Sequence, residues 1–252
     1  MRTGFWVKAA VVAWLLTPGA APAAEVRVVA SNGVKAALED LAARFQRSTQ
    51  HQLKFTFGTA VPLKRRIEGG EAFDVAILTP ALIENLVKQK KVVADTTSKF
   101  ARIGIGVAVR RGAPKPDIVT VEAFKNALIK AKSIVYSTEG QSGIAVARLI
   151  ERFGLAEQLK AKTVLETRSG GSMIALVEGK AELGFSLVSE ILPVQGVELV
   201  GPLPAEIQSY VMFTAGISTA TSPPNPAQSY VNYLGIPSIE PVLKAKGMER
   251  WN

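Results

Sequence analysis

The sequence predicts an α/β chain of two lobes, each a mixed, mostly parallel sheet flanked by helices, with the backbone crossing between lobes twice. Three observations lead there. Apolar residues switch between strand and helix periodicity in a β-α-β-α-β-α series over residues 26–90. A second α/β series runs over residues 121–186. Two long alternating segments, 102–110 and 209–218, stand between and after them and suit passage from one lobe to the other.

Val26-Arg27-Val28-Val29-Ala30 alternates as the first strand, and Ser31-Asn32-Gly33 turns the chain. Residues 34–46 then form a helix with Val34, Ala37, Leu38, Leu41, Ala42 and Phe45 on one face. Leu53-Lys54-Phe55-Thr56-Phe57 is the second strand; Gly58-Thr59 ends it, and a helix follows to Glu68 before Gly69-Gly70. Residues 74–78 form a short buried strand, and Thr79-Pro80 opens a helix because proline fits the first helical turn. This order implies parallel strands with right-handed crossovers. The second series reads as helix 121–130, strand 133–136, polar turn 137–140, helix 142–153, strand 163–166, turn 168–172, helix 173–178 and strand 182–186. After the second long segment, Pro223-Pro224-Asn225-Pro226 breaks the chain, and helices 226–234 and 239–246 return to the first lobe. Lobe 1 is therefore expected at 25–103 plus 213–252, and lobe 2 at 104–212.

Residues 1–24 carry the pattern of a secretory signal peptide: Arg2 and Lys8, an apolar run over 7–16, a Pro18-Gly19 break and small residues at Ala21-Pro22-Ala23-Ala24. The run is well short of the ~20 residues that span a bilayer. Export to a periplasm is expected, with about 228 residues left as one large domain or two small lobes. The chain has no cysteine, which excludes disulfides, thiolate metal sites and cysteine nucleophiles. Its one histidine, His51, leaves imidazole metal clusters and Ser-His-Asp catalysis almost no material. No metal, cofactor or catalytic residue is expected. Glu71 and Asp74 lie near a strand start, where an Asp often caps a neighbouring helix, and a catalytic pair there lacks a partner.

The chain holds 30 Lys+Arg against 21 Asp+Glu. Without Arg2 and Lys8 the charge is about +7, a balance that can steer anions. The densest basic runs, Lys64-Arg65-Arg66 and residues 88–91, are short and lack interleaved aromatics, so they read as solvated helix faces and not as a nucleic-acid surface. Phe55, Phe57 and Phe73 read as core and Trp251 as end-packing; Tyr136 suits either a cleft edge or the core.

Four turns share one design, in which a strand ends, small hydroxyl or glycine residues follow, and a helix begins. They are Ser31-Asn32-Gly33, Gly58-Thr59-Ala60, Gln141-Ser142-Gly143 and Ser169-Gly170-Gly171-Ser172. Free N–H groups of a helix's first turn, with the helix dipole, favour anions. Such turns gather at the carboxyl ends of strands in open α/β sheets. Two readings remain at each turn: an ordinary N-cap, or one part of a shared anion site. None matches a nucleotide fingerprint. Arg65 and Arg168 stand near two of the turns, either as carboxylate partners or as plain surface arginines.

With these pieces in order, the chain resembles the periplasmic molybdate-binding proteins. The resemblance is carried by Val28-Val29-Ala30-Ser31, Phe57-Gly58-Thr59, Arg66-Ile67-Glu68-Gly69-Gly70, Phe73-Asp74-Val75-Ala76-Ile77, Gln141-Ser142-Gly143-Ile144-Ala145, Ala175-Leu176-Val177-Glu178-Gly179, Leu183-Gly184-Phe185 and the ending Leu243-Lys244-Ala245-Lys246-Gly247-Met248. It implies a two-lobed class II periplasmic binding fold with two hinge crossings. It implies a monomer that passes a small anion to an ABC transporter permease in the inner membrane. By position it implies ligand contacts from Ser31, Thr59, Ser142 and Gly170, with Ser186 close by. A tyrosine hydroxyl usually completes that set; here Leu187 stands in its place, and leucine cannot donate. A molybdate- or tungstate-like oxyanion is the expected ligand, though the missing donor leaves molybdate itself open; the alternatives are a small organic di- or tricarboxylate, or a ligand-sensing role toward a receptor.

Overall fold

The computed structural model describes residues 24–221 and 226–251. The expected signal peptide up to residue 23 and the break at 222–225 lie outside the described residues.

In chain order the elements are β1 (Glu25–Ser31), α1 (Lys35–Thr49), β2 (Gln52–Gly58), α2 (Ala60–Glu68), β3 (Val75–Leu78), α3 (Pro80–Lys88), β4 (Ser98–Arg110), α4 (Val121–Lys130), β5 (Ile134–Ser137), α5 (Gln141–Arg152), α6 (Ala156–Lys160), β6 (Thr163–Glu166), α7 (Gly171–Val177), β7 (Leu183–Leu187), α8 (Val188–Ile191), β8 (Val197–Pro202), β9 (Tyr210–Ile217), α9 (Pro226–Gly235), α10 (Glu240–Ala245) and β10 (Glu249–Arg250). The strands join in the order β2-β1-β3-β9-β4-β7-β5-β6, with β8 and β10 paired to β4. β1 runs parallel to β2 and β3, and β5 runs parallel to β6 and β7. β9 and β4 run antiparallel to their neighbours, so the sheet is mixed, as expected.

The sheet is covered on both faces because its strands are apolar on both. In β1, Val26, Val28 and Ala30 join a core with Leu38, Leu41 and Phe45 of α1, while Val29 joins Leu63 and Ile67 of α2 and Ile83 of α3. The second half repeats the plan. Ile134 packs with Phe124, Val146 and Phe185, and Val135 packs on the other face with Met173 and Leu176. Each half therefore holds its own apolar core on either side of its strands.

β4 belongs to both halves. Its residues 98–104 pair with β9, and Ile105–Ala108 pair with β7. At the change-over the Gln208 side chain stands in for a strand: it accepts from the Ile105 N–H at 2.9 Å and donates to the Ile105 carbonyl at 3.0 Å. The second long segment differs from expectation. β9 pairs only with β3 and the first part of β4, so the return crossing lies before it, in residues 203–209. Leu203 and Ile207 are still buried in the second half's core.

α6, α8, β8 and β10 had no counterpart in the sequence reading; three of the four are five residues or shorter. Asp74 caps no helix among the described residues. Its Oδ2 accepts from the Arg27 backbone at 2.8 Å and from Arg27 Nε at 3.0 Å, and its Oδ1 accepts from Arg27 Nη2 at 3.0 Å. Burial would raise the Asp74 carboxyl, but the Arg27 hydrogen bonds and charge hold it below the usual carboxylate range. Phe73 is buried, and Phe55 and Phe57 stack at 5.1 Å against the first core, as expected of core aromatics. Tyr136 packs against the second core.

Candidate functional site

A cleft of about 480 Å³ lies between the two halves. One wall is formed by the turns after β1, β2 and β3; the other by the turns before α5 and α7 and by the β7–α8 junction. Within each half the strands run parallel, and through β9 and β4 the two sets run in opposite directions, so the carboxyl ends of both sets face the cleft between them, the usual ligand position in open α/β sheets.

The local sequence builds each turn. After β5, the Ser137 hydroxyl accepts from the Gly140 N–H at 3.1 Å and bends the chain into α5. Before α7, Gly170 adopts φ 72°, a left-handed conformation that glycine tolerates best. By helix geometry the first N–H groups of α2 and α5 have no partner within their helices. The first closing bonds run from Leu63 N–H to the Thr59 carbonyl and from Ile144 N–H to the Gly140 carbonyl.

The N-cap reading of the hydroxyls does not hold. Ser31 and Thr59 occupy cap positions with extended backbone, yet neither side chain accepts a hydrogen bond from its helix. Ser31, Ser142 and Ser172 are buried polar residues that line the cleft, as does the partly buried Thr59. None of these four hydroxyls has a hydrogen-bond partner among the described residues, so each is open to a ligand or water in the cleft.

Of the residues singled out in the sequence, Ser31, Asn32, Gly58, Thr59, Ser142, Gly170 and Ser186 line the cleft. Asn32 Nδ2 also donates across it to Ser169 Oγ, joining the two halves. Gly143 and Gly171 are buried but do not line the cleft. A Cβ on Gly143 would lie 1.7 Å from the Ser137 carbonyl oxygen, so this glycine lets α5 rest on the preceding turn. Neither arginine lines the cleft. Arg65 is exposed on α2, and Arg168 pairs with the chain's own Glu166 at 3.1 Å. Leu187 lines the cleft but is also buried in the first core, its Cδ1 against Gly33.

Sequence reasoning missed Glu190, the most unusual group in the cleft. It lines the wall beside Ser186, whose hydroxyl donates to Glu190 Oε2 at 2.6 Å. Burial pushes the Glu190 carboxyl above its usual range, against the lowering effect of hydrogen bonds from Ser186 and the Leu187 backbone. The one available signal was spacing: a Ser and a Glu four residues apart at the carboxyl end of a buried strand. The cleft's other charged residues are Lys35, Glu39 and Glu139. Lys35 Nζ lies 3.8 Å from Glu39 Oε1, with both side chains half exposed, so water screens the pair. No group of three or more His, Cys, Asp or Glu among the described residues could hold a metal ion, and no described helix is long and apolar enough to cross a membrane.

Known proteins resemble the chain in sequence and in fold. The chain is 27% identical over 237 residues to the aconitate isomerase of a Pseudomonas species, covering 91% of this chain and 89% of that protein. It is 29% identical over 238 residues to the molybdate-binding protein ModA of Azotobacter vinelandii, covering 90% of this chain and 91% of that one. The solved structure of the A. vinelandii periplasmic molybdate-binding protein shares the fold, with a TM-score of 0.76 at 21% identity over 90% of this chain and all (100%) of that chain. The sequence pattern of the bacterial extracellular solute-binding proteins spans residues 26–249, and the chain belongs to that family.

Proposed function

We propose that the protein is the periplasmic solute-binding component of an ABC importer, and that its cleft closes over one small anion held by hydroxyl and amide hydrogens without a counter-ion. The observation that carries this reading is the set of unpaired hydroxyls: Ser31 and Thr59 on one wall, Ser142 and Ser172 on the other, facing one shared cleft. Fixed donors in a low-dielectric cleft stabilise a buried anion, and a ligand of the wrong shape leaves them unpaired at about 1–3 kcal/mol each. The two halves, residues 25–104 with β9 and the chain after it, and residues 105–202, close by hinging where β4 and Gln208 meet.

A molybdate- or tungstate-type oxyanion and a small di- or tricarboxylate both suit such donors. Two features favour the carboxylate. The volume of about 480 Å³ falls within the ~300–1,000 Å³ of organic-ligand pockets. Leu187 places apolar surface where a donor would serve a compact oxyanion. Calorimetric titration with molybdate, tungstate, sulfate, trans-aconitate, tricarballylate and citrate tests the reading. Saturable 1:1 binding of one of them, tightest for a carboxylate, is expected. Heat-free titrations with all six would defeat it.

One observation favours a second reading, in which the protein turns its ligand over. Glu190 is a carboxyl inside the cleft whose ionisation range burial raises, which suits a group that takes and returns a proton, and one relative is an aconitate isomerase. An allylic isomerisation needs a single group to take a proton from one carbon and return it to another, with no redox partner. Proton NMR of trans-aconitate incubated with the protein in D2O separates receptor from isomerase. Deuterium entering the substrate, or a second isomer appearing, supports turnover; an unchanged spectrum with bound substrate supports the receptor.

A further inference from the structure

We infer that Glu190 is a ligand-contacting group of the cleft that binds as a neutral acid, donating its proton to an oxygen of the incoming anion, so that the protein takes up its anion together with one proton. The inference rests on the small-anion reading and adds a determinant of specificity and pH response to it.

The geometry points this way first. The Glu190 side chain lines the same cleft as Ser31, Thr59 and Ser142, and part of its surface remains open there. Its carboxyl accepts from the Ser186 hydroxyl, at 2.6 Å on Oε2, and from the Leu187 backbone, and a proton on the carboxyl would be directed to a ligand in the cleft. A negative carboxylate in that position would repel any anion held by the facing hydroxyls. A neutral carboxyl instead supplies a donor, on the side of the cleft where Leu187 supplies none.

Around the cleft, the other titratable groups are Lys35 and Glu39 on α1 and Glu139 before α5. Lys35 is engaged with Glu39. α8 packs against β4, β7, β8 and the 32–34 turn. The charged residues of those elements are Lys99, Arg102 and Arg110 on β4 and Glu198 on β8. Arg102 pairs with Glu249, and Glu198 pairs with Lys115. The C-terminal turn at Gly247 also packs on Val188, and its neighbour Lys246 pairs with Asp40. Among the described residues no cation forms an ion pair with Glu190. Burial without a counter-charge favours the neutral acid, in agreement with the upward shift of its carboxyl.

The sign of the coupling follows from linkage. Where Glu190 is already protonated, anion binding changes no proton count and affinity is flat. Above its ionisation range, each anion must bring a proton, and affinity falls about tenfold per pH unit.

Isothermal titration of the native protein between about pH 5 and pH 9, in two buffers of different ionisation heat, reads that proton directly. The probes are trans-aconitate, tricarballylate and molybdate. Uptake of about one proton per bound anion at the alkaline end is expected, together with the falling affinity. Glu190→Gln, which has no proton to lose, should bind without proton uptake and lose the pH slope. Native binding without proton uptake, or an unchanged slope in Glu190→Gln, overturns the inference and leaves the small-anion reading standing. Failure of every probe at every pH overturns both. The proton count on the native protein decides the matter even if the variant does not fold.

Discussion

Ser189 and Gly33 are joined across the cleft: the Ser189 hydroxyl donates to the Gly33 carbonyl at 2.6 Å, between residues 156 positions apart and in a buried setting. With the Asn32–Ser169 contact, this bond ties α8 of the second half to the first turn of the other half. The closed arrangement thus has its own direct fastening beside the hinge. Ser189→Ala should remove about 1 kcal/mol from the closed form. The radius of gyration from X-ray scattering, without anion, should rise relative to the native protein, and saturating anion should remove the difference. Identical scattering in both would assign the bond no role in closure.

Ser31 and Thr59 have free hydroxyls, and that separates binding from stability. Each hydrogen bond to a charged ligand is worth about 1.5 kcal/mol, so Ser31→Ala and Thr59→Ala should each weaken anion binding about tenfold. Since neither hydroxyl caps its helix, unfolding without anion should change by no more than about 0.5 kcal/mol. Calorimetry and urea denaturation of the same samples read both numbers. A large loss of stability would return these residues to a capping role.

Asp74 fastens β3 to β1 through Arg27 and reaches Thr221 at 3.2 Å. Its carboxyl is held below the ordinary value near 3.9, so the native state favours the ionised form. The stability it contributes is present above that value and disappears as pH falls through the lowered one. Asp74→Asn should cost about 1–2 kcal/mol at neutral pH, a figure discounted because Arg27 is 46% exposed. The deficit should shrink toward zero in strong acid. Denaturant melts across the acid range check it; a constant deficit would mean the carboxylate charge is irrelevant.

Gly143 is required for the packing of α5 on the turn before it. Gly143→Ala drives a methyl into the Ser137 carbonyl, and overpacking of this kind should cost about 3 kcal/mol. The melting temperature should fall with or without anion. Native stability with selectively lost binding would put the residue in the site after all.

Much of the fold was legible because its strands and longer helices obey simple periodicity. The helix read at 121–130 is α4 itself, and the strand read at 163–166 is β6 itself. The hydroxyl turns were legible too, since strand, small polar residues and helix follow one another in plain order. Convergence was only inferable, because it depends on which strand neighbours which. Short elements escaped: α8 has four residues, too few for a helical pattern to declare itself. Glu190 went with it, because nothing local distinguishes a buried glutamate from a solvated one; the surrounding β4, β7 and β8 make the difference. Of the two readings open for the arginines, the surface one fits their places. Arg168 has its carboxylate two residues back in Glu166, a local partner that competes with any ligand.

The central claim, that four separated turns serve one enclosed anion, is tested most directly by amide chemical shifts. Titrating isotope-labelled protein with trans-aconitate and, in parallel, molybdate should move the amides of residues 31–33, 58–61, 141–143 and 169–172 together, on a single saturable curve. Shifts confined to one wall, or spread over outer faces with these turns unmoved, would contradict it.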